Sequence, residues 1–481
     1  MLGLKMRVLS VPSVLVLFLL TWTALPIAPA LAQDDAALYQ LLQTAANAQQ
    51  AGDFGIALSQ YEQVFEDHAD SPELGKAYYN AGVCSVELEQ FEKATIYLMQ
   101  AGEKLGAERT VLLPQSRLLL GFAQLRWGKQ LAEKSEEPAE PNQASQQQFA
   151  AAVKSLDDLI GQHPQFPDVD QAYFFKADAL DALQRLDEAI VVYQQMLALP
   201  KVQFQQDGQF SLGNLYERKG QLDQARAVYQ QFLEGPQHPS AAEVRFRLAE
   251  TWNQTAMQAE ASGEADQARQ ALQQAEPLYQ AVIDAQVERL STEAMFQLAM
   301  VVSRQRDYAR SAELFWGVAN LPQADQRIRA MTYAGRDSLR SGNPALAEKR
   351  LEQATTLEGR YAAEAAHWLA KTCLQNNQFE KAYAVASQWI EKTADSQIQV
   401  PLILDAADAA YGSSARRPDS VDLYLRVVQA SPQHPLAPTA LYNAAYAAME
   451  VGAFERAIQL TEQFESSFPR DSFLPDTLEV R

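Results

Sequence analysis

One phrase recurs along the chain and limits what it can fold into. A stretch with a small residue at its centre leads to a Gly- or Asn-containing turn. An Ala follows, with an aromatic or aliphatic residue four positions on. It reads Gly213-Asn214-Leu215-Tyr216, then Lys219-Gly220-Gln221-Leu222, then Ala225 and Tyr229. Copies stand around Gly82, Phe91, Ala94 and Leu98, around Ala177, Leu186, Ala189 and Tyr193, and around Gly335, Gly342, Ala347 and Leu351. Others centre on Ala370, Phe379 and Ala382, and on Ala445, Gly452, Phe454 and Ala457. The spacing is 37 residues from Ala57 to Ala94, 36 from Ala189 to Ala225 and 35 from Ala347 to Ala382. A period of this length means that each copy is one supersecondary unit stacked on the next.

The physics of the phrase is that of paired helices. Gly82, Gly121, Ala177, Gly213, Ala249 and Gly335 fall inside first helices. A Gly there costs about 0.5–1 kcal/mol relative to Ala, so its recurrence implies that a second helix crosses closely. Tyr61, Tyr193, Tyr229, Tyr279 and Phe315 then fill the space between neighbouring hairpins, and Pro72, Pro164, Pro200, Pro239, Pro435 and Pro469 stop the second helices. No period-two run and no Asn-Gly hairpin argues for strands. The sequence therefore predicts an all-α, α–α superhelical solenoid of about eleven helical hairpins over 33–481. Their bounds are roughly 36–72, 73–109, 113–165, 168–202, 205–239, 241–288, 290–324, 327–360, 361–397, 400–435 and 437–471. Two units are stretched. In one, the acidic, Pro-containing segment Ser135 to Asn142 is expected to loop between the helices; in the other, extra residues around Ala259 to Ala268 lengthen both. Phe473 to Arg481 reads as the opening of a further first helix, so the array is expected to be incomplete at its C-terminus or to dock there on another chain.

Residues 1–32 read as an export leader. A basic start (Lys5, Arg7) precedes an apolar stretch from Val8 through Trp22, and Ala30-Leu31-Ala32 supplies small residues for cleavage before Gln33. That stretch is shorter than the ~20 residues of a membrane span. No Cys stands at the cleavage point, so no lipid anchor is expected there. The formal charge of −20 makes nucleic acid a poor partner. Cys84 and Cys373 lie in distant units, where solenoid repeats do not touch, and are expected to be buried free thiols.

The spacing and residues resemble the tetratricopeptide repeat (TPR) family over roughly 36–470. The slightly long repeats, closing in phrases such as Phe468-Pro469-Arg470-Asp471-Ser472 and Ser431-Pro432-Gln433-His434-Pro435, are similar to bacterial cell-envelope members: the outer-membrane assembly lipoproteins and the Tol-Pal-associated periplasmic proteins. The chain departs from the lipoproteins in lacking a lipidated Cys and in its greater number of repeats. The resemblance implies a periplasmic or envelope location and a concave groove lined by first helices. Three residues before each small residue it places Tyr79, Phe174, Phe210, Phe246 and Phe296, flanked by Asp178, Asn214, Glu217 and Glu250. An apolar floor with acidic or amide walls suits a protein or peptide segment with basic and apolar side chains. The same rings equally suit packing on neighbouring helices, and the residues leave both readings open. A second, more basic groove around Arg336, His367 and Lys371 suits an acidic segment.

Motifs for chemistry are missing. Gly412-Ser413-Ser414-Ala415 is a turn and not a nucleophile elbow, and Gly128-Lys129 lacks the rest of a phosphate-binding loop. His68, His163, His238 and His434 sit at or just after second helices, where a partly cationic imidazole interacts favourably with a helix C-terminus. Spread over separate turns, they form no metal cluster. No enzyme activity, cofactor or metal is expected. The expected function is a non-enzymatic protein- or peptide-binding scaffold in the cell envelope, with no membrane span in the mature chain. The alternatives are an accessory subunit of an envelope enzyme complex, or a polysaccharide or peptidoglycan binder using the rings as a stacking platform.

Overall fold

The computed structural model describes residues 33–105, 112–134, 142–319, 324–359, 361–393 and 395–481. The expected leader, and the acidic loop except Asn142, lie outside them. Among the described residues there are 23 α-helices and no strand, the all-helical architecture that the repeat requires. None of these helices is long and apolar enough to cross a membrane.

The helices fall into two compact units, one up to Phe204 and one from Gln205. The first holds α1 (Gln33–Gln50), α2 (Phe54–Asp67), α3 (Leu74–Glu87), α4 (Phe91–Lys104), α5 (Leu112–Glu133), α6 (Gln143–Gln162), α7 (Val169–Ala182) and α8 (Leu186–Leu197). The second opens with α9 (Gln205–Arg218), α10 (Leu222–Glu234), α11 (Ala241–Ala261), α12 (Ala265–Asp284), α13 (Glu288–Arg304) and α14 (Tyr308–Ala319). It continues with α15 (Ala324–Arg340), α16 (Pro344–Thr355), α17 (Ala362–Gln375), α18 (Phe379–Ile390), α19 (Ser396–Gly412) and α20 (Arg417–Ala430). It closes with α21 (Ala437–Glu450), α22 (Phe454–Ser467) and α23 (Leu474–Val480). In both units each odd-numbered helix up to α21 packs on the even-numbered helix that follows it.

Three local devices make each hairpin. The first is close approach. A Cβ placed on Gly82, Gly121, Gly213 or Gly335 would come closer than 3.0 Å to Leu98, Leu156, Tyr229 or Leu351 of the partner helix. The second is the turn. Seven residues after the small position the backbone is left-handed, with Gly at 52, 220, 342 and 452, and with Glu89 (φ 54°), Gln184 (59°), Arg306 (67°) and Asn377 (57°) in other hairpins. That conformation costs an L-residue roughly 1–2 kcal/mol, which is why Gly recurs there, in half of these turns. The third is charge. Second helices open with acids such as Glu92, Asp187, Asp223, Glu380 and Glu455, which favour the positive end of the helix dipole.

The rings expected between hairpins are buried, but Tyr193, Tyr229 and Tyr279 face the first helix of their own hairpin, against Phe174, Phe210 and Phe246. Tyr61, Tyr193, Tyr229, Tyr279 and Phe315 are fully buried, each burial contributing about 1.5–3 kcal/mol before its hydroxyl is counted. Helices α11 and α12 run to 21 and 20 residues, as the extra sequence there implies. After α22, Phe473 stacks on Tyr442 with centroids 5.3 Å apart and leads into the seven-residue α23. Cys84 and Cys373 are free and buried. Burial pushes their thiols up to about 12 and about 11, so both are weak nucleophiles in the fold.

The close approaches differ in how far the neighbour can yield. The Tyr229 ring is tethered by hydrogen bonds from its hydroxyl to Asn214 and Glu217, whereas Leu98 has no such tether. Gly213→Ala is therefore expected to cost about 1–3 kcal/mol in urea unfolding and Gly82→Ala less. Hydrogen exchange should quicken in α9, α10 and α11 of the Gly213 variant and stay unchanged in α3 to α6. Equal costs, or faster exchange in every helix, would contradict a nearest-neighbour array.

Candidate protein-binding face

The ring positions form part of the core. Tyr79, Phe174, Phe246 and Phe296 are 3, 7, 8 and 2 % exposed, and Phe210 is half-buried. Phe174 meets Tyr193 edge-on and stacks on Phe204. Phe210 leans on Tyr229 and Phe232, Phe246 on Tyr279, and Phe296 on Phe315 and Tyr333. Of the two readings that the sequence leaves open, the structure places these rings in packing. Edge exposure of this size gives a ligand no ring face to lie on.

The polar flank is held from inside. Asp178 Oδ1 accepts the Tyr193 hydroxyl at 2.7 Å, Asn214 Oδ1 accepts that of Tyr229 at 2.7 Å, and Glu250 accepts that of Tyr279. Glu217 takes a second bond from Tyr229 at 3.0 Å, and Asp408 accepts Tyr424 at 2.7 Å. In each of these four hairpins the acceptor directly follows the small residue of the first helix. A tyrosine hydroxyl buried without a partner would cost about 1–3 kcal/mol, so ring and acceptor come as a pair. Sequence reasoning missed this rule. Its signal was comparison between units, since hairpins with Leu98, Leu156, Phe315 or Leu351 in place of Tyr carry Val83, Phe122, Met300 or Arg336 at the acceptor position.

What remains for a partner is charge, and in the second unit it segregates by sign. On α9 and α11 the carboxylates Glu217, Glu243 and Glu250 gather around Arg247, whose guanidinium lies 3.7 Å from Glu217 and 3.5 Å from Glu243, and Glu293 on α13 adds its charge beside Glu250. Burial, with added repulsion from neighbouring acids, holds Glu217 and Glu250 above the usual carboxylate range. Next in the array, α15 and α17 carry Arg329, Arg336, Arg340 and Lys371 among aromatic rings. The expected His367 belongs to a different pair. Its Nδ1 lies 2.5 Å from Oδ2 of Asp405 on α19, a fully buried carboxyl that desolvation pushes upward.

His68 and His163 cap second helices at their C-termini, as the sequence places them. His238 and His434 use Nδ1 to accept backbone N–H bonds from Ser240 and Leu436, each 3.2 Å long, at the approach to the next first helix. Burial and Arg117 hold His163 below the usual value, so there the neutral form is favoured. Among the described residues no group of three or more His, Cys, Asp or Glu is placed to hold a metal ion.

Family models described as "tetratricopeptide repeat" match residues 75–101, 142–202, 207–251 and 334–397, each over the hairpin geometry just described. The chain is a tetratricopeptide repeat protein. Among solved structures it is similar to the C-terminal part of a TPR repeat-containing protein from Cytophaga hutchinsonii, at 15% identity over 60% of this chain and 98% of that one, TM-score 0.44. It is also similar to a thermophilic TPR protein of Thermus thermophilus, at 21% identity over 44% of this chain and 98% of that one, TM-score 0.30. Yeast Tom70 aligns at 13% identity over 93% and 95% of the two chains, TM-score 0.32. None of these likenesses speaks to what this TPR protein binds. The curated proteins searched by sequence give no match. TPR arrays generally serve as non-catalytic protein-interaction scaffolds, so protein or peptide is the partner class that the fold serves.

The tyrosine–acceptor pairs carry a testable cost. Burial pushes Asp408 up to about 6 from an ordinary 3.8. Between those values the fold holds a proton that the unfolded chain has lost, so this contribution is fully present below about pH 4 and disappears as pH rises through about 6. Asp408→Asn keeps an oxygen for Tyr424, as Asn214 does for Tyr229, and has no charge to desolvate. It is expected to stabilise the protein by about 1–3 kcal/mol at pH 7.5 and to leave stability unchanged at pH 4, measured by urea unfolding. An equal gain at both values would show that the carboxyl is not shifted.

Proposed function

We propose that this TPR protein is a non-enzymatic scaffold of the cell envelope, exported by residues 1–32, that docks a basic, apolar-studded segment of a partner protein along α9, α11 and α13. The observation that carries the docking reading is the gathering of four carboxylates, Glu217, Glu243, Glu250 and Glu293, with Arg247 as the cation that pairs with two of them. Like charges held close together repel, and the repulsion is relieved when a partner's Lys or Arg comes between them. Export is supported by the leader pattern alone. The buried rings of Phe174, Phe246 and Phe296 give no support to a sugar-stacking alternative, and no observation favours an accessory subunit of an enzyme.

Two measurements test it. A fluorescein-labelled peptide of alternating Lys and Leu should bind residues 33–481, and added salt should weaken it. Glu243→Gln with Glu293→Gln, which spares both tyrosine acceptors of this face, should weaken it about fivefold. Equal affinity for both proteins would overturn the docking face. N-terminal sequencing of the protein made with its leader in a bacterial host should begin at Gln33, and a chain that keeps Met1 in the cytosol would overturn export.

A further inference from the structure

The positive face of the second unit is built as two adjoining stripes. On α15, Arg329, Tyr333, Arg336 and Arg340 recur at the four- and three-residue spacings that share one side of a helix. On α17, Glu364, Trp368 and Lys371 do the same, with Tyr361 as the N-cap. Rings and cations interlock across the gap. Arg329 lies over Phe296, Tyr333 and Tyr361 at 4.6, 5.4 and 5.6 Å, and Arg336 over Tyr333 at 4.4 Å. Arg340 lies over Tyr308 and Trp368 at 5.5 and 5.2 Å, and Lys371 over Trp368 at 5.7 Å.

Such stacking fixes a guanidinium in place while leaving its N–H edge to donate. Asp337 is fully buried and takes up part of the charge, with Arg336 Nε at 2.8 Å and Arg340 at 3.7 Å. The Glu364 carboxyl interacts electrostatically with Arg329 and Arg336, and those of Asp405 and Asp408 with Lys371, but among the described residues neither Arg329 nor Lys371 is closed into a direct ion pair, and the buried Nε of Arg329 has no hydrogen-bond acceptor. In a chain of net charge −20, where acids outnumber bases, four cations held over rings on two adjoining helices are not a solvated default.

We infer that the α15–α17 face is a binding site for an extended acidic segment of a partner protein, separate from the acidic face on α9 to α13. The spacing sets the ligand. Arg329 and Arg336 are seven residues apart on one helix, about 10 Å, and Arg329 and Arg340 eleven apart, about 16 Å. An extended chain covers about 3.3 Å per residue, so carboxylates three residues apart meet the first pair and a segment of about six residues spans the site. Lys371 at the rim takes a further carboxylate, and Trp368 offers contact to an apolar side chain between them.

The test uses residues 33–481 and fluorescein-labelled hexapeptides with Glu at positions 1, 4 and 6 and Leu at 3, beside the same peptide with Gln for Glu. At physiological salt, which screens the long-range repulsion of the acidic chain, the Glu peptide should bind about tenfold more tightly than the Gln peptide. Lys371→Glu and Arg329→Gln should each remove most of that difference and leave the Lys–Leu peptide bound as before, so that failure here is distinct from failure of the acidic face. Lys371 is exposed, and its variant decides alone if Arg329→Gln unfolds. Equal binding of Glu and Gln peptides, or full Glu-peptide binding by Lys371→Glu, overturns the site. Polygalacturonate that displaces the Glu peptide and binds more tightly assigns the face to an anionic glycan, and overturns the protein partner.

Discussion

A tyrosine buried in the middle of a helical hairpin sets two conditions at once: room for the ring and a partner for the hydroxyl. In four hairpins both are met on the first helix by adjacent residues. Ala177, Gly213, Ala249 and Ala407 make the room, and Asp178, Asn214, Glu250 and Asp408 accept the bond. Apolar packing alone tolerates sliding of one helix along another. A directed bond at a fixed residue does not, and it sets the register from which neighbouring hairpins are stacked. Three of the four acceptors are carboxylates, so part of the acidity of this chain is structural.

The same seam explains how charge is distributed across the second unit. Consecutive first helices are tied by polar contacts: Arg247 to Glu217, Arg304 to Asn253 and Glu260, Arg336 to Ser303, and His367 to Asp405. Acids gather on the side of the unit that holds the tyrosine hairpins of α9 to α12. Where Leu351 replaces the tyrosine no acceptor is needed, and Arg336 takes the position. The sign of the surface follows from what lies beneath it.

The repeat was legible because its devices are local: a small residue, a left-handed turn seven residues on, a proline after the second helix. Helix type and the long α11–α12 hairpin follow from those alone. The binding face was less so. Periodicity tells which residues share a side of a helix, but not whether a neighbouring helix covers that side, and so the sequence leaves Phe174, Phe246 and Phe296 open between groove floor and core, where the structure buries them. The tyrosine–acceptor rule joins residues 15 to 29 positions apart and shows only when units are compared. The division at Phe204 had no signature in the repeat phrase.

The α11–α12 hairpin shows what the rule permits. From Ala249 to the left-handed Gly263 is fourteen residues, where Gly213 to Gly220 is seven; from Gly263 to Ala275 is twelve, where Gly220 to Ala225 is five. Each arm has gained seven residues, about two turns of helix, and Tyr279 still reaches Glu250. An insertion of one residue in an arm would rotate the ring about 100° away from its acceptor. Hairpins of this kind can grow only in whole helical steps, equally on both arms, and length in the array is therefore quantised.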